Sequence, residues 1–128
     1  QGISLQKTSY KGCFIENPGY KSKNIINKTD TIFYNIEDST LTLNVILHYN
    51  CCGLLKDSVT IVDEQVNIHL SDTCTGDYCE CKCMCDYEFE YQFTDFRQKN
   101  SHFYVYLNGY RDNNYELWND IKFIDALD

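Results

Sequence analysis

The chain has 128 residues and a formal net charge of −8, and it contains one proline, 11 tyrosines and 7 phenylalanines. This length predicts one domain, residues 1–128, that can bury its own core. The negative charge argues against nucleic acid and anionic lipid as partners, because both bind positive surfaces. No run of about 18 apolar residues occurs, so the sequence predicts no transmembrane segment.

The first predicted strands lie around "KGCFI", residues 11–15, and "TIFYNI", residues 31–36. The next segment, residues 40–49, alternates with a period of two, which is typical of a half-buried strand. We expect its inner face to carry Leu41, Leu43, Val45, Leu47 and Tyr49, and its outer face Thr40, Thr42, Asn44, Ile46 and His48.

Residues 58–62 and 65–70 are separated by Asp63-Glu64, which predicts a hairpin with a two-residue turn. In the second of these strands the residues expected to face inward are Val66, Ile68 and Leu70. Those expected to face outward are Gln65, Asn67 and His69. The following segment, residues 71–78, has the composition of a loop.

The run "CECKCMCDYEFEYQF", residues 79–93, has a cysteine or an aromatic residue at every second position. As an extended strand it would present one face made of Cys79, Cys81, Cys83, Cys85, Tyr87, Phe89, Tyr91 and Phe93. The other face would be almost wholly polar, and we expect its acids Glu88 and Glu90 to be solvated. Fifteen extended residues would span roughly 50 Å, which predicts a bulge or bend near Cys85-Asp86.

Residues 102–108 alternate again, with Phe103, Val105 and Leu107 on one face, and residues 115–124 fit either a last strand or a short helix. Six to eight short strands with hairpin-length turns predict an all-β fold. The predicted architecture is an antiparallel two-sheet sandwich of immunoglobulin-like type. A small barrel is the alternative.

The eight cysteines are typical of an oxidising compartment. Same-face neighbours on a strand are about 6.5–7 Å apart at Cα with parallel Cβ vectors, whereas bridged cysteines are mostly about 5.5–6 Å apart with facing Cβ atoms. The four cysteines of residues 79–85 should therefore not pair with one another, and each is expected to bond a cysteine outside the run. The disulfide candidates are Cys13, Cys51, Cys52, Cys74, Cys79, Cys81, Cys83 and Cys85.

A partly free thiol core and a soft-metal site are the alternatives to complete oxidation. CxC repeats and an adjacent cysteine pair suit copper, zinc or a multi-metal thiolate cluster. The ligands would be Cys51, Cys52, Cys79, Cys81, Cys83 and Cys85. An extended strand lines thiols up in a row instead of wrapping them around an ion, so we predict no cofactor. The histidines His48, His69 and His102 are expected at surface or edge positions.

The cysteine pattern resembles that of small secreted lipoproteins of Bacteroidetes, which is NCC followed by CxCxCxYxxxY. The matching positions span residues 50–91 and are Asn50, Cys51, Cys52, Cys81, Cys83, Cys85, Tyr87 and Tyr91. The resemblance implies a protein of the periplasm, of the outer-membrane surface or secreted, with no assigned activity. It also implies a lipid anchor on a cysteine upstream of Gln1. Three cysteines fall outside the pattern: Cys13, Cys74 and Cys79.

The sequence predicts no catalytic residues, because it contains no local Cys-His signature, no CxxC motif and no GxSxG motif. We expect a protein that is not an enzyme, but a non-enzymatic extracytoplasmic binding or structural module of a bacterial cell envelope. Its partner is an unknown protein or glycan, for which the candidate contact residues are Tyr104, Tyr106, Tyr110 and Trp118. The alternative is a soft-metal thiolate-binding protein.

Overall fold

The computed structural model describes residues 2–14, 24–25, 32–97, 101–109 and 116–122. These residues contain no helix. Their strands are β1 (Ser4–Phe14), β2 (Asn24–Ile25), β3 (Ile32–Glu37), β4 (Thr40–Asn50), β5 (Leu55–Val62), β6 (Gln65–Asp72), β7 (Met84–Thr94), β8 (His102–Asn108) and β9 (Glu116–Lys122). They form two sheets, which confirms the predicted all-β, two-sheet class.

The chain divides into two compact units, one made of residues 3–51 and 82–96 and the other of residues 52–81 and 97–128. Each unit holds one of the sheets. The prediction of a single domain over residues 1–128 stays a prediction. No helix among the described residues is long and apolar enough to cross a membrane.

Sheet 1, in the first unit, has the strand order β1-β7-β4-β3-β2, and all of its neighbouring strands are antiparallel. One face carries the alternating apolar residues that the sequence predicts. Those 8 % exposed or less on this face are Ile32, Tyr34, Leu41, Leu43, Val45, Leu47, Cys85, Tyr87, Phe89, Tyr91 and Phe93. Tyr49, at the end of β4, is half-buried. The period-two pattern therefore places these side chains as expected.

The opposite face of sheet 1 is buried at its centre, where the sequence predicts solvent-facing residues. Asn44 and Ile46 of β4 are buried, and so is Glu88 of β7, at 7 % exposure. The prediction that Glu88 is solvated is therefore wrong, while Glu90 is half-buried. The physical reason is hydrogen bonding, because the Asn44 side chain donates to both carboxylates and a buried charge needs such partners.

Sheet 2, in the second unit, has the strand order β5-β6-β8-β9. Its core face carries Val66, Ile68, Leu70, Phe103 and Val105, all completely buried. The β6–β8 pair is parallel, whereas the predicted sheet is wholly antiparallel. The chain leaves sheet 2 after β6, forms β7 in sheet 1 and returns as β8, and a crossover of that kind allows two strands to run in the same direction.

Two hairpins have the two-residue turns that tight antiparallel pairs require. Val62 pairs with Gln65 across Asp63-Glu64, which confirms the predicted hairpin. Glu37 pairs with Thr40 across Asp38-Ser39. In both turns the aspartate has a φ of 57°, in the left-handed region that aspartate tolerates better than most residues.

The alternating run is a strand over only part of its length. β7 begins at Met84, so its aromatic half is extended and buried as predicted, but residues 79–83 form bends and irregular backbone. The predicted single face from Cys79 to Phe93 is therefore wrong for Cys79, Cys81 and Cys83, whereas Cys85 lies in β7 and is buried as predicted. Thiols of adjacent residues on a strand point to opposite sides, whereas those two residues apart point to the same side. The structure bonds the adjacent residues Cys51 and Cys52 to Cys83 and Cys81, which are two residues apart, so two flat strands could not form both bonds.

The bulge or bend predicted in the run near Cys85-Asp86 is not found there, because residues 84–94 form one continuous strand. β7 keeps an unbroken register with β4, and the register shift opposite Asp86 occurs in β1, between Lys11 and Phe14. At the other end of the chain, residues 116–122 are a strand, β9, which resolves the choice between strand and helix.

Candidate functional site

All eight cysteines form disulfides, and each of Cys79, Cys81, Cys83 and Cys85 bonds a cysteine outside the run, as predicted. The pairs are Cys13–Cys85, Cys51–Cys83, Cys52–Cys81 and Cys74–Cys79. Their Cα–Cα distances are 5.4, 5.5, 5.7 and 5.8 Å, within the usual range for a bridge. A fully crosslinked chain of this kind persists in an oxidising environment.

The end of β4 is held to the start of β7 by three interactions within the first unit. Cys51 is bonded to Cys83, and the Cys51 N–H donates to the Cys83 carbonyl oxygen at 3.2 Å. The Tyr87 hydroxyl donates to the Asn50 carbonyl oxygen at 2.7 Å. These residues belong to the NCC and CxCxCxY pattern, so in this fold the pattern fixes the junction of two strands.

In the second unit, the loop after β6 is organised by Asp72. Its carboxylate accepts the backbone N–H groups of Leu54 at 3.1 Å and of Cys74 at 3.0 Å. Asp72 is 9 % exposed, so these bonds compensate for its burial. Cys74 then bonds Cys79, which closes a short covalent loop around Gly76.

A polar cluster lies on the buried second face of sheet 1. The Asn44 amide nitrogen donates to a Glu88 carboxylate oxygen at 2.9 Å and to a Glu90 carboxylate oxygen at 3.0 Å. Asn44 is completely buried. The two acids are thus hydrogen-bond acceptors that link β4 to β7.

Four aromatic rings form a continuous row on one face of sheet 2, and we call this set, His69, Tyr106, Tyr104 and His102, the ring row. His69 and Tyr106 lie opposite each other on β6 and β8, with ring centroids 4.7 Å apart and planes 8° from parallel. The Tyr104 ring is 6.3 Å from that of Tyr106 and 4.2 Å from that of His102. All four side chains are half-buried.

Hydrogen bonds fix both tyrosines of the ring row. The Tyr106 hydroxyl donates to the Asn67 amide oxygen at 3.4 Å, and the Tyr104 hydroxyl is 3.2 Å from His102 Nδ1. Of the predicted contact residues, the structure therefore brings Tyr104 and Tyr106 together. Tyr110 lies outside the described residues, and Trp118 falls within β9 without a described side chain.

An open polar cavity of about 220 Å³ adjoins the ring row at His69. The side chains around it offer hydroxyl groups and one charge of each sign, and the lining residues are Lys56, Asp57, Ser58, His69, Ser71 and Thr73. The Thr73 hydroxyl donates to the Leu54 carbonyl oxygen at 2.9 Å, so its position is fixed. This cavity was not predicted from the sequence, because its residues come from two strands and a loop.

The histidines divide between surface and sheet positions. His48 is exposed and pairs with Asp86 at 2.8 Å within the first unit, as expected of a surface residue. His69 and His102 are half-buried members of the ring row. The alternation of the sequence predicted the sheet face on which these two histidines lie. It did not predict the stacking of His69 on Tyr106, which is more than 30 residues away in sequence.

Each of the predicted metal ligands is bonded to another cysteine. These ligands are Cys51, Cys52, Cys79, Cys81, Cys83 and Cys85. A metal needs thiolates, so binding would require these bonds to be reduced. Two of these residues, Cys52 and Cys81, lie together in the second unit.

No protein-family model, no curated protein and no solved structure matches this chain. The similarity to Bacteroidetes lipoproteins stays a prediction from the cysteine pattern.

Proposed function

We propose that this protein is a disulfide-stabilised, non-enzymatic binding or structural module that acts outside the cytoplasm, in a bacterial cell envelope. The observation that carries the proposal is the pairing of all eight cysteines in four disulfides. Glutathione and thioredoxin would keep such thiols reduced in a cytosol. The finer location, in the periplasm, on the outer-membrane surface behind a lipid anchor, or secreted, rests on the resemblance of the cysteine pattern.

The binding role is supported by a difference between two sets of polar side chains, those that are used inside the fold and those at a partly exposed face. The polar groups of Asn44, Asp72 and Tyr87 serve internal hydrogen bonds. The ring row and its cavity instead present aromatic and hydroxyl groups at a partly exposed face. A rigid sheet that carries such a face suits recognition of a partner.

Thiol alkylation of the protein from fractionated cells tests the proposal. The intact mass is measured under denaturing conditions after treatment with iodoacetamide, without reductant. We expect the protein in the extracytoplasmic fraction with no alkylated cysteine, and peptide mapping should recover the four pairs. A control sample treated with reductant first should gain eight alkyl groups, one for each cysteine. Free thiols in the native protein, or a cytosolic location, would contradict the proposal.

Soft-metal binding is the second candidate function, favoured by Cys52 and Cys81, two of the proposed ligands that lie together in the second unit. It predicts that the protein isolated without oxidation contains copper or zinc by elemental analysis. It also predicts that Cys52→Ser lowers the metal content, while Cys13→Ser, outside the proposed ligand set, does not. Metal-free protein with all thiols oxidised would exclude this candidate.

A further inference from the structure

We infer that the ring row and the adjoining cavity of sheet 2 form a binding site for a neutral saccharide. The inference rests on the proposed function, because it names the ligand class of the proposed binding module. The site lies entirely within the second unit, on β5, β6, β8 and the loop after β6.

The ring row offers aromatic surface against which a sugar ring can pack, at the part of each half-buried ring that the stacking within the row leaves exposed. Sugar C–H groups pack against the negative faces of aromatic rings. The Tyr106 ring lies nearly parallel to that of His69, and the hydroxyls of Tyr106 and Tyr104 are already hydrogen-bonded. Because these bonds hold the rings in place before binding, little conformational entropy is lost when a ligand arrives.

The cavity offers the hydrogen-bonding groups that sugar hydroxyls require. Ser58, Ser71 and Thr73 present hydroxyls, and His69 belongs to both the cavity and the ring row. A ligand can therefore stack on aromatic rings and reach polar groups at the same time. The volume of about 220 Å³ is smaller than a typical drug-sized pocket, which suits one sugar residue with further residues along the row.

Charge favours a neutral ligand over an acidic one. Lys56 and Asp57 place one positive and one negative group at the cavity, which gives it no net charge. The chain as a whole has a net charge of −8, which repels polyanionic glycans.

A peptide that adds as an extra strand does not fit this site. The ring row stands on β6 and β8, and both strands already pair on each side, β6 with β5 and β8 with β9. Strand addition needs unpaired backbone groups at a sheet edge. Recognition here must use side chains, as stacking on rings does.

Titration calorimetry with four neutral hexasaccharides tests the inference: maltohexaose, cellohexaose, laminarihexaose and chitohexaose. We expect at least one to bind the wild-type protein. Tyr106→Ala and Tyr104→Ala should each weaken that binding by roughly tenfold or more, because each removes a stacking surface. Tyr78→Ala is the matched control, since Tyr78 is a tyrosine of the same unit, 88 % exposed and outside the row. It should bind as the wild type does.

Ser58→Leu keeps the test valid if a tyrosine variant does not fold. Ser58 is exposed on the edge strand β5, so this change fills the cavity without disturbing the core. It should also abolish binding, and circular dichroism should show an unchanged fold.

Three results would overturn the inference. The first is that no hexasaccharide binds at millimolar concentration. The second is that binding survives in all three variants, Tyr104→Ala, Tyr106→Ala and Ser58→Leu. The third is that Tyr106→Ala changes the oligomeric mass, which would make the ring row a protein contact. None of these results affects the thiol measurement. Fully oxidised extracytoplasmic protein without saccharide binding would leave the proposed function in place and remove only this inference.

Discussion

Cys13 of the edge strand β1 is bonded to Cys85 of β7, across 72 residues of sequence, at the point where the β1–β7 register shifts. An edge strand has a neighbour on one side only, and most of the described side chains of β1 are exposed. The disulfide therefore holds in place a strand that buries little apolar surface of its own.

The first prediction compares the disulfides that close the longest and the shortest loops. Cys13→Ala with Cys85→Ala should lower the free energy of unfolding by about 4 kcal/mol, and Cys74→Ala with Cys79→Ala by about 2 kcal/mol, because the longer loop restricts the unfolded chain more. Each pair contains one buried cysteine, Cys85 or Cys79, so the loss of packing is matched. Urea unfolding measured by circular dichroism compares the two; equal losses would contradict the role of loop length.

The second prediction concerns the buried amide that joins two carboxylates. Asn44→Asp should lower the free energy of unfolding at pH 7 by about 3 kcal/mol, because it replaces a buried donor with a carboxylate beside those of Glu88 and Glu90. Asn35→Asp is the control, since Asn35 is exposed on the adjacent strand β3. Urea unfolding of both variants should show a loss for Asn44→Asp alone. Equal stability of the two variants would show that the Asn44 bonds contribute nothing.

The third prediction concerns the turn between β5 and β6. Asp63 has a φ of 57°, so Asp63→Ala should destabilise the protein by about 1 kcal/mol, while Asp63→Gly should leave its stability nearly unchanged. Asp77→Ala, in the exposed loop after β6, provides a control for the loss of a carboxylate. Thermal unfolding of the three variants and the wild type measures these differences. An Asp63→Gly variant as unstable as Asp63→Ala would rule out backbone strain as the cause.

The fourth prediction concerns alkaline pH. Burial raises the pKa of Tyr34 above its ordinary value of 10.0. The unfolded chain therefore loses this proton at a lower pH than the folded protein does. The contribution of Tyr34 to stability is complete below pH 10 and is lost as pH rises from there through the folded pKa.

Tyr34→Phe tests this by removing the ionisable group and keeping the ring. The variant should lose less stability than the wild type between pH 9 and pH 11, in brief urea-unfolding measurements. Tyr78→Phe, at an exposed tyrosine, should follow the wild-type curve. Parallel curves for Tyr34→Phe and the wild type would show that the Tyr34 phenol does not contribute.

The sequence predicted those parts of the fold that depend on residues close together in the chain. The β5–β6 hairpin needs only alternation and a two-residue turn at Asp63-Glu64, and the structure confirms it. The prediction that no two cysteines of residues 79–85 bond each other is also confirmed, although residues 79–83 are not the strand from which it was argued. The sequence did not choose among the remaining pairs, because that choice depends on how distant segments meet.

The features that the sequence did not predict depend on contacts between distant residues. The burial of Glu88 requires the Asn44 amide, 44 residues earlier. The parallel β6–β8 pair requires that β7 join the other sheet, which alternation alone does not specify. The ring row needs β6 and β8 side by side, so alternation could place His69 on the outer face but could not place Tyr106 against it.

The Cys13–Cys85 bond spans the other three disulfides, since all six of their cysteines lie between these two residues in sequence. A protease that cuts any one peptide bond in this interval therefore releases no fragment. The nicked molecule would gain the mass of one water and still migrate as a single species on a non-reducing gel. It would separate into two pieces only after a reductant is added. A single cut in any loop between Cys13 and Cys85 would therefore leave β1 to β9 covalently attached to one another.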